Sequence, residues 1–275
     1  MIDTLILSGG GPSGIAYAGI LKALTDYDIL RKDELKEIIT TSVGIIFAIL
    51  YLLEYTILQI EKIVLETDLT KLLNSETLEI DDLLMKFGLF SNRQIGDSIS
   101  SFIRHKHNKN DVTLKELYDL SKIKLTVKVY NVEKGKTEYF NYLNYPNIKC
   151  TTLSMMTTAI PYLFQPVKYN DNLYVDGGLK GHFPIEVCES KHYLGINVRG
   201  GTTNRKNFGL LKDLPILSYT IDLMNDRDND IDPSDNKIFT YHINGGLNFS
   251  LDTGERKDMI EKGYNETIEY LKNLD

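Results

Sequence analysis

The sequence predicts a layered α/β domain, and three observations carry that expectation. Short apolar runs ending in glycine or aspartate clusters alternate with helical stripes along much of the chain. Hydrophobic residues make up 42% and charged residues 25% of the 275 positions, which are globular proportions that allow a sizeable core. The longest apolar stretch, residues 43–53, falls far short of the ~20 residues that a membrane-spanning helix needs. The length alone is compatible with one domain or two.

Thr4-Leu5-Ile6-Leu7 is a buried strand entering a tight glycine loop, and Ile15, Ala18, Gly19, Leu21 and Leu24 form the stripe of a following helix. Ile38-Ile39 marks a second buried run, with a helix buried on most faces over 43–53. Helices are expected over 56–66 and 92–106, the second opened by the capping-box pattern Ser91-Asn92-Arg93-Gln94. Thr113-Leu114-Lys115-Glu116 repeats that pattern. Residues 124–132 and 137–142 alternate with period two around Lys134-Gly135, a hairpin signature. A helix over 153–159 stops before Pro161, a strand at 173–175 runs into Asp176-Gly177-Gly178, and strands follow at 192–198 and 238–243. The last helix covers about 254–271, with Asp252 and Glu255 placed to cap it.

A net charge of −7 excludes a general nucleic-acid binder and argues against constitutive electrostatic docking on anionic membranes. The apolar run 5–7 lacks a basic flank and breaks at once into Ser8-Gly9, so it is not a signal peptide. Cys150 and Cys188 make no disulfide framework. A cytoplasmic, reducing compartment is the expectation. Asp226, Asp228 and Asp230 lack the glycine and glutamate of a calcium loop and read as a solvated loop. His105 and His107, two apart on a helix, point to different faces and suggest no metal site. No cofactor is implied.

Three elements carry chemistry. Gly9-Gly10-Gly11-Pro12-Ser13-Gly14 joins a strand to a helix and exposes backbone amides where partial positive charge accumulates. That suits a phosphate or an oxyanion. It also matches a dinucleotide fingerprint literally, and a plain structural turn stays open. Thr40-Thr41-Ser42-Val43-Gly44 has the form of a nucleophile elbow, although a serine here also suits simple helix capping. Asp176-Gly177-Gly178 closes a strand, where aspartate-glycine is also a common turn. The three in this order, each at a strand end, supply an anion hole, a nucleophile and a base.

On these residues the chain resembles the patatin-like phospholipases from Leu5 to the final helix. Gly9-Gly10-Gly11-x-x-Gly14 matches the family's oxyanion loop, Ser42 and Gly44 its Gly-x-Ser-x-Gly elbow, and Asp176-Gly177-Gly178 its Asp-Gly-Gly/Ala motif. Thr158-Ala159-Ile160-Pro161 through Phe164-Gln165-Pro166, and Phe183-Pro184-Ile185, resemble the family's flanking segments. The resemblance implies a three-layer fold with a central, mostly parallel sheet between helices, one acyl hydrolase domain over 1–275, and a Ser42–Asp176 dyad. It implies oxyanion binding by the loop Gly9, Gly10, Gly11 and Gly14, with the amides of Gly10, Gly11 and Val43 as donors, supported by Gly44, Gly177 and Gly178. A phospholipid or other lipid ester met at a membrane surface is the implied substrate.

Two departures stand out. Thr40 replaces the elbow's first glycine, and Pro12-Ser13 replaces a position that is usually basic in the family. They leave a catalytically impaired lipid-binding relative as the alternative, and a nucleotide-binding domain ranks below both because it gives Asp176 no role. His182, six residues past Asp176, stands where many relatives have asparagine, and a base role for it is disfavoured.

Overall fold

The computed structural model describes residues 2–73, 87–200, 220, 231, 232, 234–243 and 247–274. Strand β1 (Thr4–Leu7) leads through a 3-10 segment (Gly11–Ala16) into α1 (Tyr17–Asp26), and β2 (Glu37–Thr41) leads into α2 (Gly44–Leu52) and α3 (Ile57–Glu66). Next come β3 (Gly88–Phe90), α4 (Arg93–His107), α5 (Leu114–Ser121), the hairpin of β4 (Lys124–Asn131) and β5 (Lys136–Phe140), and α6 (Cys150–Thr157). Short strands β6 (Tyr162–Phe164) and β7 (Val167–Tyr169) precede β8 (Asn172–Asp176), β9 (Tyr193–Gly200), β10 (Ile238–Ile243) and α7 (Thr253–Lys272).

The main sheet has the order β10-β9-β1-β2-β4-β8-β7, with β5 also paired to β4. Its β10-β9-β1-β2-β4 part is parallel, whereas β8, β7 and β5 join antiparallel. This is the α/β fold with a central sheet flanked by helices that the sequence predicts. Side chains alternate across the strands, so Leu5, Leu7 and Ile38 pack into the large helical core, while Ile6 and Ile39 meet Phe183 on the other face. Burying a leucine or isoleucine side chain is worth ~1.5–3 kcal/mol, so both faces contribute strongly to holding the sheet.

The expected hairpin forms, as do the capping boxes at Thr113/Glu116 and Asp252/Glu255. The box expected at Ser91 does not. Asn92 occupies the cap position without a side-chain cap bond, because its Nδ2 donates instead to the Met155 carbonyl at 2.9 Å. That bond ties the start of α4 to the end of α6. The helix expected at 153–159 is displaced towards the N-terminus by most of a turn and ends at Thr157. The aspartates 226, 228 and 230 lie outside the described residues. Cys150 and Cys188 are free thiols, the first of them buried. No helix among the described residues is long and apolar enough to cross a membrane.

Candidate active site

Sheet register explains how Ser42 and Asp176 meet. In β2, Thr41 pairs with Lys128 of β4, and one residue further along the same edge, Val129 pairs with Asp176 of β8, while β5 takes the other edge. The ends of β2 and β8 therefore meet along one edge of β4, which brings the residue after Thr41 next to the last residue of β8. There Ser42 Oγ donates to Asp176 Oδ2 at 2.6 Å.

Ser42 occupies the left-handed region at φ 51°, rare for a residue with a Cβ and costing ~1–3 kcal/mol. The surroundings enforce it. Its backbone N–H donates to Thr157 Oγ1 at 2.8 Å, and that hydroxyl donates to the Lys128 carbonyl at 2.7 Å. Gly44 opens α2 where the helix meets the strand, and a Cβ there would lie 2.3 Å from Thr40 Oγ1 and 2.8 Å from the Ser8 carbonyl. The tight strand-to-helix turn expected at Ser42 is therefore present, and Thr40 fits because Gly44 leaves the room.

Asp176 is fully buried, and its Oδ1 accepts the Gly178 amide at 2.7 Å. Burial pushes its carboxyl up to about 7; the bonds from Ser42 and Gly178 and the charge of Lys128 pull the other way. Gly177 is required by contact, since a Cβ would come within 2.4 Å of the Lys128 carbonyl.

The glycine loop lies against the other side of the serine. Gly9 packs so closely that a Cβ would stand 3.1 Å from that of Ser42, and one on Gly14 would meet the Val43 side chain at 2.7 Å. Gly10 is the cap residue of the 3-10 segment and Gly11 its first residue, at φ 53°. Tyr17 OH fastens the entry to the loop by donating to the Ser8 carbonyl at 2.9 Å.

His182 supports this loop. Its carbonyl accepts the Gly9 amide at 2.8 Å, and its Nε2 lies 3.0 Å from Asn197 Oδ1. Burial, with a contribution from Arg199, drives its imidazole down to about 3, so it stays neutral.

An apolar groove opens at Ser42, with a cavity of about 140 Å³. Val43, Ile46, Phe47 and Leu50 line it from α2, and Ile95, Ser98, Ile99 and Phe102 from α4. Ile63 and Val64 of α3 add a third wall, and Thr158, Ile160, Phe164 and Phe249 join near the serine. Asn92 bonded to Met155 places the start of α4 beside the serine, while Tyr55 OH donating to the Phe102 carbonyl at 3.0 Å places its later turns beyond the end of α2. The two helices thus run alongside each other away from Ser42. Sequence reading missed this groove, because no single helix signals that three will converge.

Such a strained serine, bonded to a buried carboxylate and opening on an apolar groove, places the chain among α/β proteins that present a serine on a tight strand-to-helix turn. The chain belongs to the patatin-like phospholipase family, whose model matches residues 5–188. It is 30% identical over 189 residues to a probable lipid hydrolase, 463L, of Invertebrate iridescent virus 6, covering 69% of this chain and 64% of that protein. An uncharacterized protein of Acanthamoeba polyphaga mimivirus, R571, is 28% identical over 219 residues, 79% of this chain and 72% of that protein. The chain thus spans just under two thirds of the iridescent-virus relative's length. Among solved structures, VipD from Legionella pneumophila shares the fold with a TM-score of 0.65 at 17% identity, over 99% of this chain and 67% of that one. The type III effector ExoU gives a TM-score of 0.59 at 15% identity, over 99% and 53%.

Proposed function

We propose that the chain is a single-domain lipid acyl hydrolase of phospholipase A type, with Ser42 as nucleophile and Asp176 as its base. The observation that carries this reading is the 2.6 Å bond from the strained Ser42 to a buried carboxylate, made at the mouth of an apolar groove. Asp176 accepts the Ser42 proton directly as Oγ attacks the ester carbonyl. With its carboxyl held at about 7, Asp176 is poised to take the proton and return it to the leaving alcohol. Amides of Gly10, Gly11 and Val43 receive the oxyanion; the Gly9 amide is already bonded to His182, so Gly9 contributes by its close approach. Water then releases the acyl group from Ser42. No metal or organic cofactor enters this scheme.

The groove suits one acyl chain of a lipid ester. From Ser42 to Leu50 the helical rise gives ~12 Å of apolar wall. Carbon–carbon bonds of ~1.5 Å set in a zigzag advance ~1.25 Å per atom, so ~9 to 10 carbons fit along it. Substrate is met at a membrane surface, from which the rest of a longer chain need not be withdrawn.

Thr40 is the observation that favours an impaired lipid-binding relative. Against it stands the contact geometry, in which Thr40 leaves the elbow intact. Labelling with a fluorophosphonate separates the two. Labelling of wild type and not of Ser42→Ala supports the hydrolase; an unlabelled, folded wild type supports the binding protein.

A further inference from the structure

Lys128 is an unusual residue for the middle of a sheet. It belongs to the alternate face of β4 and is 1% exposed. A buried ammonium costs several kcal/mol unless its protons are matched by acceptors. Here three acceptors surround it. Nζ donates to the Lys180 carbonyl at 3.0 Å and the Gly181 carbonyl at 2.9 Å, and lies 2.5 Å from Glu186 Oε1. Lys180 and Gly181 belong to the turn that begins at Asp176. Glu186 is half-exposed and also accepts from Tyr139 OH, on the residue directly across from Lys128 in the hairpin.

The main chain of the same residue serves the other partner of the dyad. Its carbonyl receives Thr157 Oγ1 at 2.7 Å and Thr41 Oγ1 at 3.3 Å, and Thr157 Oγ1 in turn accepts the Ser42 amide. That carbonyl also lies against Gly177, leaving no room for a Cβ. One residue is therefore tied by its backbone to the nucleophile and by its side chain to the turn that follows the base.

We propose that Lys128 is the positioning residue of the Ser42–Asp176 pair: it clamps the 177–181 turn, anchors the elbow through Thr157, and places a buried cation beside that turn. Glu186 sets how much of that charge reaches Asp176. The inference rests on the hydrolase reading only for its consequence in turnover. A purely apolar residue in this slot would pack as well, but would leave Asp176 in low dielectric with hydrogen bonds from Ser42 and Gly178 alone. The Lys128 charge does act on Asp176, in the direction of the ionised form. The other titratable groups close by are His182, neutral through burial, Arg199, which acts on His182, and Tyr139 and Glu186 on the far side of Lys128.

The test reads the Asp176 carboxyl directly, by ¹³C NMR titration of aspartate-labelled protein, with the signal assigned from Asp176→Asn. Glu186→Gln removes an anion from a half-exposed position and leaves Lys128 in place; its titration midpoint is expected ~0.5 pH unit or more below wild type. Lys128→Met removes the cation and is expected to move the midpoint up by at least as much, while Lys128→Arg keeps it near wild type. The acid limb of kcat/KM moves with the midpoint in each variant. A merely structural role would lower kcat and move neither. An unmoved midpoint in Glu186→Gln overturns the proposal even where Lys128→Met does not fold, and an unmoved midpoint in folded Lys128→Met does so too. If the midpoints move as stated but no ester is cleaved, this inference stands and the hydrolase reading falls.

Discussion

Asp176→Asn stabilises the folded protein at alkaline pH. Burial carries this carboxyl from its ordinary 3.8 to about 7, so the folded state binds the proton more tightly than the unfolded state does. For such a group, stability is fully present below about pH 4 and is lost as the pH rises to about 7, remaining level above that. At ~1.4 kcal/mol per tenfold change in proton affinity, the full span corresponds to ~4 kcal/mol. Asparagine has the same shape, its Oδ1 still accepts the Gly178 amide, and its Nδ2 donates to Ser42 Oγ. It carries no charge to bury. The variant is therefore expected to exceed wild type by ~2–4 kcal/mol at pH 8.5, with the gap closing towards pH 4. Urea unfolding of both proteins at the two pH values gives the comparison. A variant that is less stable at pH 8.5, or a gap that does not change with pH, would refute the claim that Asp176 carries a charge the fold resists.

Thr40 is fully buried and its Oγ1 has no hydrogen-bond partner among the described residues, so Thr40→Val is expected to gain ~1 kcal/mol in denaturant unfolding while the acyl hydrolase rate stays within twofold. Thr157→Val strips both the acceptor of the Ser42 amide and the donor to the Lys128 carbonyl, and is expected to cost ~1–3 kcal/mol of stability and lower kcat more than it raises KM. Leu50→Phe fills the far end of the groove; in a series of p-nitrophenyl esters it shifts preference towards shorter chains, decanoate losing ~10-fold or more relative to butanoate.

The elements that could be read from the sequence are those whose causes are local. A strand ending in three glycines, a serine followed two residues later by glycine, and an aspartate ahead of two glycines each state a backbone requirement within a few residues. The capping boxes at Thr113 and Asp252 formed for the same reason. At Ser91 the same pattern failed because a tertiary bond from Asn92 to Met155 took precedence. Strands β3, β6 and β7 have three residues each, too few for a period-two pattern. In β4, Thr126, Lys128 and Tyr130 alternate with apolar residues and look solvent-facing, yet the 183–188 side of the sheet covers Lys128. Its role depends on sheet register, which brings the ends of β2 and β8, and with them Ser42 and Asp176, together along the edge of β4 at Lys128 and Val129.

The central claim, that Ser42 and Asp176 together cleave lipid esters, is tested most directly by fatty-acid release from phospholipid vesicles at pH 8. Wild type is expected to release fatty acid, and folded Ser42→Ala and Asp176→Asn are each expected to lose at least ~10³-fold in rate. Release that persists in Ser42→Ala would contradict the account.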